Sequence, residues 1–217
     1  MTKQIAIIDP FVRTPAINCF NNLVKTLGLQ ATYHIPSIFG IETLLKTRSE
    51  TAAYIILGSA SHVHEKLPWH LPLVEFALEE LQKKRPLLGI CFGHQIMCHA
   101  LGAKVEYYSS DEEKQMGNRE VEITQDFWNY KKGEVFNLAV THKQVVRDLP
   151  EHLIEVGHSL SNDIVIHKGL PFLGTQAHPE ASDYFCHNDI TNLNESEIAS
   201  VQKSGTALIK RFFEFHL

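Results

Sequence analysis

The chain has 217 residues, a length that suits one α/β domain able to bury roughly 70% of its unfolded surface without covalent staples. Apolar residues make up 44% and charged residues 21%, the balance of an ordinary soluble globular protein. The net charge of -5 argues against a nucleic-acid-binding chain, which would show a basic face, and no apolar stretch approaches the roughly 18 residues of a membrane span.

Met-Thr-Lys-Gln leads directly into IAIID, so residues 5–9 read as a first strand and not as a signal peptide; a cytoplasmic location is expected. Residues 15–27 read as a helix stopped by Gly28, with Ile17, Phe20, Val24 and Leu27 on its buried face. A second strand follows at 31–35, a short helix at 41–47, and a third apolar strand at 53–57. Residues 72–84 carry Leu73, Phe76, Ala77 and Leu81 at helical spacing. The apolar run 87–90 (LLGI) then has the character of a strand buried on both faces. From Phe92 on, Ile96, Met97, Ala100 and Leu101 recur at helical spacing before Gly102.

Beyond Gly102 the pattern changes. Residues 104–108, 119–124 and 135–140 look like strands without long intervening helices, and 109–114 is a charged turn. Residues 153–158 and 164–167 suggest a hairpin, 172–176 lead into His178, and 195–215 read as a closing helix with Ile198, Val201, Leu208, Ile209 and Phe212 inward. Together these predict a single domain over 1–217. Its fold class is α/β, a flavodoxin-like three-layer open sheet, mostly parallel, with a mixed or antiparallel extension. Functional loops should gather beyond the carboxyl ends of the parallel strands.

Cys91 falls in the strand-to-helix turn, where a bend lifts one side chain above the sheet edge and aims the first helical amides at whatever it attacks. Gly89 and Gly93 flank it at minus two and plus two, allowing backbone to crowd a strained residue, and the helix dipole there favours a thiolate. A lone buried cysteine is more often structural, so the turn gains meaning only with a base elsewhere. In the segment Gln176 to Glu180, His178 and Glu180 lie two apart around Pro179, on one side of an extended stretch; the imidazole is a candidate base and the carboxylate its orienting partner.

The pair GICFGHQ (89–95) and QAHPEAS (176–182) resembles the signature of class I glutamine amidotransferases, in the stand-alone type related to the amidotransferase part of GMP synthase. LGSASHVHEKLPWH (57–70) is similar to the family's oxyanion loop and THKQVVRDLP (141–150) to its substrate-contacting segment. The resemblance implies that Cys91 attacks the carboxamide of glutamine, His178 relays the proton and Glu180 orients His178. It further implies an oxyanion hole from the backbone amide of Phe92 with that of Gly58 or Ser59. Substrate contacts would come from Gln95 and the backbone at Lys143 and Gln144, with His142 either supporting or touching substrate.

One departure concerns the loop: Gly58-Ser59-Ala60 stands where the family usually has Gly-Gly-Pro, and Ser59 would be strained if that position required a positive φ. The expected reaction is hydrolysis of the side-chain amide of glutamine, or of a similar γ-glutamyl amide, through a Cys91 thioester. The ammonia would be released to a separate synthetase where one exists. A γ-glutamyl peptidase with the same residues is one alternative, and a catalytically silent regulatory module another.

No cofactor or metal is expected. His94, Cys98, His99, His62 and His64 lack an HExxH or CxxC companion, and neither GxxxxGK[ST] nor GxGxxG occurs. Cys19, Cys91, Cys98 and Cys186 show no paired spacing, which fits reduced thiols.

Overall fold

The computed structural model describes residues 4–190 and 192–217. The elements run β1 (Gln4–Ile8), α1 (Ile17–Leu27), β2 (Gln30–His34), α2 (Pro36–Phe39), α3 (Glu42–Thr47) and β3 (Thr51–Ile56). A 3-10 turn (Val63–Glu65) leads to α4 (His70–Gln82), β4 (Leu87–Ile90), α5 (Phe92–Ala100) and β5 (Lys104–Tyr107). Then come β6 (Gln115–Ile123), β7 (Val135–His142), β8 (Gln144–Arg147), β9 (Leu153–His158), β10 (Asn162–His167), β11 (Phe172–Thr175), α6 (Asp183–Asp189) and α7 (Glu195–His216).

Among the described residues, nine strands form one sheet in the order β2-β1-β3-β4-β11-β10-β9-β6-β7. The first five are parallel, and from β11 onward every pairing is antiparallel. This is the expected open α/β sheet, parallel from β2 through β11, with the antiparallel extension making up the other half of its pairings. The alternation of strand side chains separates two cores. Ile5, Ile7, Ile55, Leu88 and Ile90 face α1 and α7 through Leu23, Leu208 and Phe212. Ala6, Ile8, Tyr54, Ile56 and Leu87 face α4 and α5 through Leu73, Phe76, Leu81, Ile96 and Met97. Strands covered on both faces cannot alternate polar with apolar, which is why the runs at β1, β3 and β4 are continuous.

Three expectations need correction. The strand at 104 does not join the large sheet: β5 pairs with β8 in a separate two-stranded sheet, and β8 carries the segment read only as a substrate contact. In α1 the buried centre is Cys19 and Leu23, while Phe20, Val24 and Leu27 pack beside it and Ile17 is exposed. Leu23 enters the core beneath the sheet, while Cys19, one turn earlier, is buried beside Ser182 at the head of α6. Helix α6 was not anticipated; Ser182 caps it by accepting from the Phe185 amide at 3.2 Å.

Behind the sheet, Glu80 is fully buried and accepts from Arg48 Nε at 2.5 Å, Arg85 Nη1 at 2.5 Å, Lys83 Nζ at 3.1 Å and Tyr54 Oη at 2.9 Å. Burial raises its pKa, but the donors from Lys83, Tyr54 and Arg48 and the charge of Arg85 outweigh burial and hold the carboxyl below its ordinary range. A depressed folded-state pKa stabilises above the unfolded value and is lost as pH falls through the folded one. Glu80→Gln should therefore lower stability at neutral pH by about 2–3 kcal/mol and flatten the acid limb of a melting-temperature profile. A variant as acid-sensitive as the parent would remove Glu80 from that role.

Candidate active site

Cys91 is the turn between β4 and α5, at φ 50° and ψ -102°. A side-chain-bearing residue seldom occupies that region, and the cost is about 1–3 kcal/mol unless surroundings enforce it. Here they do. The Cys91 amide donates to the Thr175 carbonyl at 2.8 Å, and its carbonyl accepts from the Gln95 amide at 2.9 Å. A Cβ on Gly89 would come within 2.7 Å of the Gly93 carbonyl oxygen, and one on Gly93 would collide with the Ile56 carbonyl. The two glycines let the first turn of α5 sit directly on β3 and β4. Gly93→Ala should thus cost about 3 kcal/mol or more, read as a melting-temperature loss, with no relief from side-chain rearrangement because the obstacle is backbone.

The parallel pairing of β11 with β4 sets Thr175 opposite Ile90, so the residues after Thr175 emerge beside Cys91. His178 is buried; its amide donates to the Ala139 carbonyl at 2.7 Å, and its Nδ1 lies 2.8 Å from Glu180 Oε1. Asn22 of α1 secures the loop by donating to the carbonyls of Glu180 and Ala181 at 3.1 and 3.3 Å. Gly58 marks the closeness of the groups: a Cβ there would meet His178 Cε1 at 2.8 Å and Cys91 Cβ at 3.5 Å. Burial is the largest influence on the His178 imidazole and favours the neutral ring, yet the charges of Glu180 and Cys91 outweigh it and raise the pKa.

Gln95, on α5 and 5% exposed, donates from Nε2 to the Gln144 carbonyl at 2.8 Å and to Gln176 Oε1 at 3.1 Å. Gln176 Nε2 in turn lies 3.7 Å from Cys91 Sγ. Gln176 was absent from the anticipated site, although its place at the head of the QAHPEAS segment was the available signal. The Lys143 side chain is exposed and its carbonyl accepts from the Tyr108 amide at 2.8 Å. His142 is buried with Nε2 3.3 Å from Arg119 Nη1; burial, then Arg119 and His178, push its pKa down to about 3 and keep it neutral. Phe92 packs against Trp69 and His70, with ring centroids at 5.7 and 5.4 Å. Ser59 is free of the feared strain, since its φ is not positive.

His94 and Cys98 lie on α5 facing the sheet, Nδ1 3.5 Å from Sγ, and burial pushes the His94 pKa down to about 3. Among the described residues no helix is long and apolar enough to cross a membrane.

The arrangement brings together a strained thiol, a carboxylate-oriented imidazole and helix-head amides, a set suited to acyl transfer. Residues 22–185 match the family model described as glutamine amidotransferase class-I. A glutamine-hydrolyzing GMP synthase subunit of Methanopyrus kandleri is 33% identical over 107 residues, covering 48% of this chain and 56% of that protein. Gamma-glutamyl peptidase 4 of Arabidopsis thaliana is 28% identical over 134 residues, 58% of this chain and 53% of that one. The chain spans less than two thirds of the length of the curated relatives it matches. A crystal structure of a glutamine amidotransferase from Thermotoga maritima superposes with a TM-score of 0.71 at 19% identity, covering 99% of this chain and 97% of the other, a likeness of fold. With the family model extending over most of its length, the chain belongs to the class I glutamine amidotransferase family.

Proposed function

We propose that the protein hydrolyses the side-chain amide of glutamine, or a closely similar γ-glutamyl amide, through a thioester on Cys91. The observation that carries this reading is the left-handed Cys91 at the head of α5, with the His178–Glu180 pair emerging from the adjacent strand. Cys91 Sγ adds to the amide carbonyl and the proton passes to His178. The tetrahedral oxyanion is met by the amide of Phe92 and one from Gly58 or Ser59. The C–N bond breaks as His178 protonates the departing nitrogen, and ammonia leaves. Water, deprotonated by His178, then attacks the thioester and releases glutamate and the thiol. Glu180 holds the His178 tautomer throughout.

Gln95 and the backbone at Lys143 and Gln144 hold the amino-acid end of the substrate, supported by His142. A separate synthetase as ammonia acceptor belongs to this reading, supported by the relative named for one part of a GMP synthase. So do action of 1–217 as one domain and a reducing, cytoplasmic setting, the latter supported by four free cysteines. Incubation with glutamine and with γ-glutamyl peptides, followed by mass detection of the intact protein, tests the proposal. A glutamyl adduct of Cys91 is expected. Absence of adduct and of labelling by a chloroketone glutamine analogue would leave the silent module. The peptidase reading, favoured by the Arabidopsis relative, predicts faster turnover of γ-glutamyl peptides than of glutamine.

A further inference from the structure

The loop bearing Gly58 and Ser59 is tied to the rest of the molecule by a side chain. Ser59 Oγ donates to the Pro10 carbonyl at 2.7 Å and accepts from the Ser61 amide at 3.0 Å. The Pro10 carbonyl is itself a fixed point. Asp9, fully buried at the carboxyl end of β1, accepts from the amides of Phe11 at 3.1 Å and Ala16 at 2.6 Å and from the Tyr33 hydroxyl. The Asp9 amide donates to the His34 carbonyl at 2.8 Å, so the loop after β1 is gathered from both ends.

What rests on this tie lies at the centre of the site, because a Cβ added to Gly58 would lie 2.8 Å from His178 Cε1 and 3.5 Å from Cys91 Cβ. A glycine-proline pair would restrict such a loop through the proline ring; Ser59-Ala60 has no ring, and its Ser59 φ lies outside the left-handed region. The only fastening from this segment to the β1 loop among the described side chains is the Ser59 hydroxyl.

We propose that Ser59 is a positioning residue whose hydroxyl struts residues 58–61 against the β1 loop, setting the loop amides at the height of the oxyanion formed on the Cys91 adduct. The inference rests on the reading of Cys91 as the nucleophile. A donor that acts only when charge develops affects turnover more than ground-state binding. A neutral hydrogen bond of this kind contributes about 1 kcal/mol, equivalent to about a fivefold change in rate.

The test compares Ser59→Ala, Ser59→Thr and the double variant Ser59→Gly with Ala60→Pro by glutamine hydrolysis and by amide hydrogen exchange at Ser61. Ser59→Ala is expected to lower kcat about fivefold, leave KM within about twofold and speed Ser61 exchange. Ser59→Thr, which keeps the hydroxyl, should restore both, and the double variant should recover turnover by restricting the backbone instead. Unchanged kcat and exchange in Ser59→Ala would overturn the proposal, as would a loss that threonine fails to rescue. If the parent protein turned over no γ-glutamyl amide, the Cys91 reading would fail by itself, while Ser61 exchange would still decide whether the strut exists.

Discussion

Cys91→Ala is expected to reduce γ-glutamyl amide hydrolysis by on the order of 10^5-fold or more, with the melting temperature within about 3 °C of the parent. The activity loss follows from removing the atom that forms the thioester. The fold should survive because the turn is held by backbone, through Thr175 and Gln95, and by the glycine contacts on either side. Alanine retains the strained φ of 50°, so a second substitution separates chemistry from conformation. Cys91→Gly should be equally inactive and yet more stable than Cys91→Ala by about 1 kcal/mol, since glycine occupies that region without a Cβ clash. Activity in either variant would end the nucleophile assignment. Unfolding of Cys91→Ala would indicate that the sulfur serves the core instead.

His178→Ala should lower turnover by at least about 10^4-fold, close to the effect at Cys91, because nucleophile and base act as a unit. Glu180→Gln should be milder, roughly 10- to 100-fold, since the imidazole remains but loses its buried counter-charge. Its pH dependence carries the sharper test. Burial pulls the His178 pKa down while Glu180 and Cys91 raise it, and the net direction is up. A raised folded-state pKa contributes stability that is complete below the unfolded value of about 6.5 and is lost as pH rises through the folded pKa. Glu180→Gln should therefore lower the pH at which the imidazole titrates in NMR and remove that alkaline loss from a denaturation profile. An unaltered titration would detach Glu180 from His178 despite their 2.8 Å separation.

The local pattern carried the reading of Cys91 a long way. A buried run, two glycines and a helical repeat within fifteen residues specify a strand, a sharp turn and a helix head, and these depend on sterics between near neighbours. The same holds for α4 and α7, whose anticipated inward residues are all buried, because helical spacing projects directly onto a face. It was incomplete for α1, where Phe20, Val24 and Leu27 do pack on the core but Ile17 is exposed and Cys19 and Leu23 are the most buried. It failed for the sheet that β5 joins, because two sheets were compatible with the same residues and only the neighbours chose between them.

The sequence by itself determined an α/β chain with a cysteine at a strand-to-helix turn and a histidine two residues from a glutamate, since these follow from local sterics and spacing. Only the tertiary structure decided that β11 lies next to β4, which sets His178 beside a residue nearly ninety positions earlier. It likewise decided that Gln176 reaches toward Cys91 and that Ser59 fastens to Pro10. Such partners are found only when distant strands have entered register, because a side-chain hydrogen bond needs its acceptor within about 3 Å and chain order does not encode that distance.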